Sequence, residues 1–132
     1  MLQKKIVSLF VVLISSIVFS LFYSQSCDTT LYEVVEEQPE FPGGIQEMYA
    51  FLGKVKTPVL PDTMAVLGKY YVSFIIECDG SISNVTSIIN EDHPVSIAYV
   101  EHVKKMPKWN PGKQNGIRVR VRYTLPIHIH WK

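Results

Sequence analysis

The sequence predicts a two-layer α+β domain in which two helices cover one face of a three-stranded antiparallel sheet. The main observation is an unbroken alternation of apolar and polar residues over 117–131, because a strand has a side-chain period of two. A hairpin signal, Asp79-Gly80, predicts a tight primed turn between two shorter apolar runs at 70–78 and 82–89. Segments with helical periodicity precede and follow this hairpin, and their order fixes the fold class.

The first predicted helix covers 45–52, where Ile45, Met48 and Leu52 follow the spacing of one buried helical face. The second begins near Pro94 and ends before Pro107. Residues 54–68 are interpreted as a connection that contains one helical turn around 62–66. A slip in the alternation of the second strand, at Asn84-Val85, predicts a bulge there.

The strand order follows from this sequence of elements. A helix returns the chain to its starting end, so the last strand runs antiparallel to the first hairpin strand. The predicted order is therefore second, first, last (2-1-3), which places the last strand at an edge. Pro126, which cannot donate to a ladder, agrees with an edge position.

The N-terminal residues 1–26 have the composition of an export signal. Lys4 and Lys5 precede an apolar run at 6–23, and small polar residues follow at 24–26, where we expect cleavage. A retained membrane anchor and lipid attachment at Cys27 are the alternatives. Residues 27–40 are interpreted as a short acidic tether, and residues 41–132 as the domain.

The charges are distributed unevenly along a chain whose net charge is only +1. Acidic residues open the mature chain, and basic residues dominate after His102. The simpler interpretation is two solvated faces; the alternative is a basic face that orients an acidic partner. Nothing in the composition indicates nucleic-acid binding. Cys27 and Cys78 could pair only if the tether folded back, and two cysteines do not make a disulfide framework.

Catalytic and metal sites find little support in the sequence. No candidate nucleophile lies in a strained elbow motif, and no cofactor motif is present, so we expect neither an enzyme nor a cofactor. His128 and His130 would share a strand face and could hold zinc or copper together with His102 or an acidic residue, but solvated strand residues are the simpler interpretation. We expect Trp109 to fill the core beneath the loop that leads into the last strand.

Residues 41–132 resemble the TonB C-terminal domain family, in the variety common among small exported proteins of Bacteroidetes. The resemblance is carried by Phe41-Pro42-Gly43-Gly44, Val72-Ser73-Phe74, Asp79-Gly80-Ser81-Ile82, Met106-Pro107-Lys108-Trp109-Asn110-Pro111-Gly112-Lys113, Gly116 and Val119-Arg120-Val121-Arg122-Tyr123-Thr124-Leu125-Pro126. The Trp-x-Pro-Gly loop before the alternating strand is its most specific part.

The resemblance implies a periplasmic module that grips a TonB-dependent outer-membrane receptor and supports energy-coupled transport. A receptor segment would add as a strand beside the last strand, with inner-membrane proton-channel proteins as further partners. The matching residues are Arg118, Val119, Arg120, Val121, Arg122, Tyr123 and Thr124. Because an open strand edge can also pair with its own copy, a homodimer or a regulatory edge-binding module is the alternative. The short tether sets this chain apart from transducers whose long spacer crosses the periplasm.

Overall fold

The computed structural model describes residues 2–23, 26–61 and 68–128. In chain order, the elements are α1 (Leu2–Tyr23), β1 (Cys27–Tyr32), α2 (Ile45–Leu52), β2 (Lys69–Ile76), β3 (Ile82–Ser87), α3 (Pro94–Val103), β4 (Lys113–Gln114) and β5 (Ile117–His128). The α+β class is confirmed, and both predicted helices and all three predicted strands are present.

The N-terminal apolar run forms helix α1, whose side chains from Leu2 to Ile14 are exposed. Across the described ranges, no helix combines the length and apolar character that crossing a membrane requires. The expected cleavage at 24–26 includes residues 24 and 25, which lie outside the described residues, and it stays a prediction.

The prediction of a three-stranded sheet is wrong, because two further strands join it. The described sheet has five strands in the order β1-β5-β2-β3, with β4 also paired to β5. The predicted strands keep their relative order, but β1 pairs in parallel with β5 and displaces it from the edge along part of its length. The sequence did not indicate β1, because its three apolar residues, Cys27, Leu31 and Tyr32, do not alternate with polar ones.

The β2–β3 hairpin differs from prediction in its turn and agrees in its bulge. The N–H of Glu77 donates to the Ser81 carbonyl at 2.8 Å, so the loop has three residues. Only Gly80 in this loop has a positive φ, at 85°, which excludes a two-residue primed turn. The predicted bulge is confirmed by the register shift between Ser73 and Ile75 and by the positive φ of Asn84.

The main core lies between the helices and one face of β2. Met48 and Leu52 of α2 and Val95 and Val103 of α3 are buried there against Tyr70, Val72, Phe74 and Ile76. Trp109 is 4% exposed, so the prediction that it fills the core is confirmed. Its indole contacts the rings of Phe41, Phe74 and Tyr123 at centroid distances of 5.5, 5.7 and 5.1 Å. This aromatic cluster fixes the middle of β5 against the core.

Two sequence-based expectations fall outside the described residues. A helical turn expected at 62–66 lies there, and so does the end of the alternating strand at 129–131.

Candidate binding edge on the last strand

The backbone direction of β5 follows from the hydrogen bonds of its neighbour β2. The Tyr71 carbonyl accepts from the N–H of Ile88, just beyond β3. Because backbone groups alternate in direction along a strand, Val72 and Phe74 direct theirs towards β5. Their partners Leu125 and Tyr123 therefore point their own backbone groups back at β2.

The intervening residues of β5 face the opposite side of the strand. By the same alternation, Arg122, Thr124 and Pro126 direct their backbone groups away from β2. Pro126 lacks an N–H, but the missing donor would point outward, so its place in the β2–β5 ladder costs no hydrogen bond there. The outward side of β5 is the candidate binding edge.

Strand β1 divides the seven predicted binding residues into two groups. Cys27 pairs with Arg118, and Tyr32 pairs with Val121, so the first four of the seven lie beside β1. The predicted edge position is therefore wrong for Arg118, Val119, Arg120 and Val121. Beyond Val121, no strand in the described ranges pairs with β5 on the side away from β2. Arg122, Tyr123 and Thr124 begin this open edge, which runs to His128.

The arginines of β5 contact acidic residues of the same chain. Nε and Nη2 of Arg120 donate to the two carboxylate oxygens of Glu77 at 2.7 and 3.1 Å, and Nη1 donates to the Thr29 carbonyl at 3.4 Å. This bidentate bond holds the pKa of Glu77 below its usual value. Arg122 forms a partly exposed ion pair with Glu33 at 3.2 Å. The acidic segment that follows α1 thus lies against the basic last strand.

The segment that was interpreted as a tether packs on the domain. Val35 is buried with Val119 and Val121 in a second apolar cluster, and Tyr32 packs against it. Backbone bridges join Glu37 to Lys113 and Glu40 to Asn110. Residues 27–40 are therefore part of the folded unit in the structure rather than a free linker.

A disulfide between Cys27 and Cys78 fixes the start of β1. Their Cα atoms lie 5.8 Å apart, although 51 positions separate them in the sequence. The tether does fold back, which the sequence analysis named as the condition for pairing. The signals for this disulfide in the sequence were the expected export and the presence of two cysteines. The spacing of the cysteines alone could not show that they lie close together.

Two of the three histidines of the metal hypothesis, His102 and His128, lie in the described residues. His102 makes a 2.7 Å hydrogen bond with the Phe51 carbonyl, His128 ends β5, and His130 lies outside the described residues. The described residues contain no group of three or more His, Cys, Asp or Glu placed to hold a metal ion.

Comparison with known proteins supplies the family. The model of the family described as the C-terminal domain of Gram-negative bacterial TonB protein matches residues 62–130. Comparisons with curated proteins and with solved structures gave no significant match. This family comprises envelope interaction domains without enzymatic activity that contact outer-membrane receptors. Because the match spans more than half of the sequence, the chain belongs to the TonB C-terminal family.

Proposed function

We propose that this protein binds an extended segment of a TonB-dependent outer-membrane receptor in the periplasm by strand addition to the open edge of β5. The observation that carries the proposal is that β5, beyond Val121, pairs only with β2 within the described residues. An unpaired strand edge offers a row of donors and acceptors to a partner's backbone. Family membership supports a receptor as that partner.

The open edge limits the length of the segment that it can pair. It covers residues 122–128, a length of about 23 Å at 3.3 Å per residue. Arg122 and Thr124 supply outward N–H donors, whereas Pro126 supplies only a carbonyl. We therefore expect a segment of about seven residues whose backbone provides most of the affinity. The exposed side chains of Arg122, Thr124 and His128 would add selectivity.

The proposed role is to grip the receptor rather than to transmit force alone. Residues 27–40 pack on the domain through β1 and Val35, so they do not provide a spacer. Energy coupling would then need partners such as inner-membrane proton-channel proteins. These partners belong to the proposal on family grounds only.

Two substitutions at Thr124 separate backbone from side-chain effects. Thr124→Pro removes an outward N–H without removing a bond to β2, as Pro126 already does two residues later. Thr124→Val keeps the N–H and the branched shape, so it is the matched control. In titrations with peptides from the N-terminal segments of candidate receptors, we expect Thr124→Pro to abolish or greatly weaken binding and Thr124→Val to retain it.

The outcomes of this experiment discriminate between functions. A folded Thr124→Pro variant that binds as tightly as the parent would contradict strand addition at this edge. If the parent binds no receptor peptide and sedimentation detects a dimer, the edge serves self-association, the alternative that the sequence left open.

A further inference from the structure

We infer that β1 is a disulfide-held latch on the receptor-binding edge, and that reduction of Cys27–Cys78 lengthens the edge available to a partner. This inference rests on the proposed function, because it concerns regulation of the same edge. It arises from the position of β1, which lies beside Arg118 to Val121, immediately before the open edge begins.

Strand β1 occupies backbone groups of the kind that a receptor segment would use. Arg118 and Arg120 have the same outward backbone direction as Arg122 and Thr124, by the alternation along β5. In the structure they pair with Cys27 and Leu31 of β1. A partner strand and β1 therefore cannot occupy this part of the edge together.

Apart from its covalent bond, β1 is held by exposed contacts and by the packing of Tyr32 against the second apolar cluster. None of its six residues is buried, and its pairing with β5 is interrupted between Asp28 and Leu31. The hydrogen bond from Arg120 to Thr29 is long, at 3.4 Å, and on an exposed site. The buried anchor Val35 comes three residues after the strand ends. The disulfide keeps β1 at a high effective concentration beside its own edge.

The disulfide between Cys27 and Cys78 is accessible to a reductant. Cys27 is exposed and Cys78 is half-buried. Both line an open depression of about 400 Å³, together with Thr29, Glu77, Asp79, Ser81 and Arg120. A reductant can therefore approach the bond from solvent without unfolding of the domain.

The redox step is thiol–disulfide exchange with a dithiol. The thiolate of the dithiol attacks one sulfur of Cys27–Cys78, forms a mixed disulfide and displaces the other cysteine as a thiolate, which takes up a proton. The second thiol of the reductant then attacks the mixed disulfide and releases the remaining cysteine. Two electrons and two protons pass to the protein, and the dithiol leaves as its own disulfide. Free of the bond, β1 can leave Arg118 to Val121.

The test compares two peptides on the full-length chain, one of seven and one of eleven residues, both copied from the same receptor segment. The longer peptide can pair with residues 118–128, but only when β1 is displaced. We expect reduction with dithiothreitol to raise the affinity for the longer peptide about tenfold or more, since four further residues of β5 become available. The affinity for the shorter peptide should stay unchanged. The Cys27→Ser/Cys78→Ser variant should behave like the reduced parent, with or without reductant.

A peptide-independent measurement keeps failure of the latch distinct from failure of the proposed function. Amide hydrogen exchange should become faster at Arg118 and Arg120 on reduction, while Tyr123, which faces β2, should remain protected. Unchanged exchange at Arg118 and Arg120 in both the reduced parent and the double variant would overturn the latch. Loss of protection at Tyr123 as well would also overturn it, because the bond would then hold the whole domain. Faster exchange without binding of either peptide would retain the latch and contradict receptor binding.

Discussion

Replacing Trp109 tests the packing that supports the middle of β5. The indole is 4% exposed. Burial of an aromatic side chain removes about 150–250 Å² from water, which at about 25 cal/mol per Å² amounts to about 4–6 kcal/mol. Large aromatic truncations in cores cost about 3–5 kcal/mol. We therefore expect Trp109→Ala to lower the free energy of unfolding by about 3–5 kcal/mol in urea denaturation followed by circular dichroism.

The matched control is Trp109→Phe. The indole Nε1 is buried with no hydrogen-bond partner among the described residues, so phenylalanine would lose no hydrogen bond there. Removing an unpaired buried donor relieves a cost of about 1–3 kcal/mol, which offsets part of the lost volume. We expect Trp109→Phe to cost less than half as much as Trp109→Ala. Equal losses in the two variants, or an unchanged midpoint in Trp109→Ala, would refute this reasoning.

Two further predictions concern the stability of glycine variants and the stability of the protein at acidic pH. Gly80→Ala should cost clearly more than Gly116→Ala: both glycines have a positive φ, but a Cβ at Gly80 would clash with the Trp109 carbonyl, whereas Gly116 has open space. The left-handed conformation alone accounts for about 1–2 kcal/mol at each site; equal costs in denaturant melts would contradict the clash. The second prediction concerns how the stability of the protein depends on acidic pH. The folded pKa of Glu77 lies below the ordinary 4.5, chiefly because Arg120 donates to it, so its stabilisation is present above pH 4.5 and is lost as the pH falls through the lowered pKa. Glu77→Gln should lose less stability than the parent between neutral pH and pH 3, and identical losses would show that this pair contributes nothing.

The regular elements could be predicted because their signals are local. The alternation along β5, the hairpin glycine and the helical spacing of Met48 and Leu52 each follow from a period in the sequence. Pro126 correctly indicated an edge position, but only for part of β5. It marks residues 122–128, where the outward side of β5 is open, and not the whole strand.

The added strand could not be predicted because its contacts are long-range and its three apolar residues do not alternate with polar ones. In the sequence, Cys27 to Glu40 has the composition of a linker, although Val35 and Pro39 become buried in the structure. The available signal for this contact was the opposite charge of residues 28–47 and of the residues after His102. In the structure, Glu33 of the acidic segment forms an ion pair with Arg122 of the basic one. That signal fits an intramolecular contact as well as it fits a partner.

The candidate site was predicted as one edge, whereas the structure divides it. This changes which substitutions are informative. Val121 is 1% exposed and pairs with Ile76, so Val121→Pro would remove a donor that faces β2 and would damage the fold. Arg120→Ala would remove the hydrogen bond to Thr29 of β1 and the ion pair with Glu77, so its effect on binding would not report on side-chain charge alone. Thr124 is the more informative position.

Amide hydrogen exchange of the full-length protein with a seven-residue receptor peptide shows at which residues of β5 the peptide pairs. Strand addition at β5 predicts new protection at the outward amides of Arg122 and Thr124. Tyr123, already bonded to β2, should change little, and Thr86 on the far edge of the sheet should not change. Two results would contradict strand addition at β5. The peptide could bind but protect Thr86 and its neighbours in β3, or it could bind and leave Arg122 and Thr124 exchanging at their free rates.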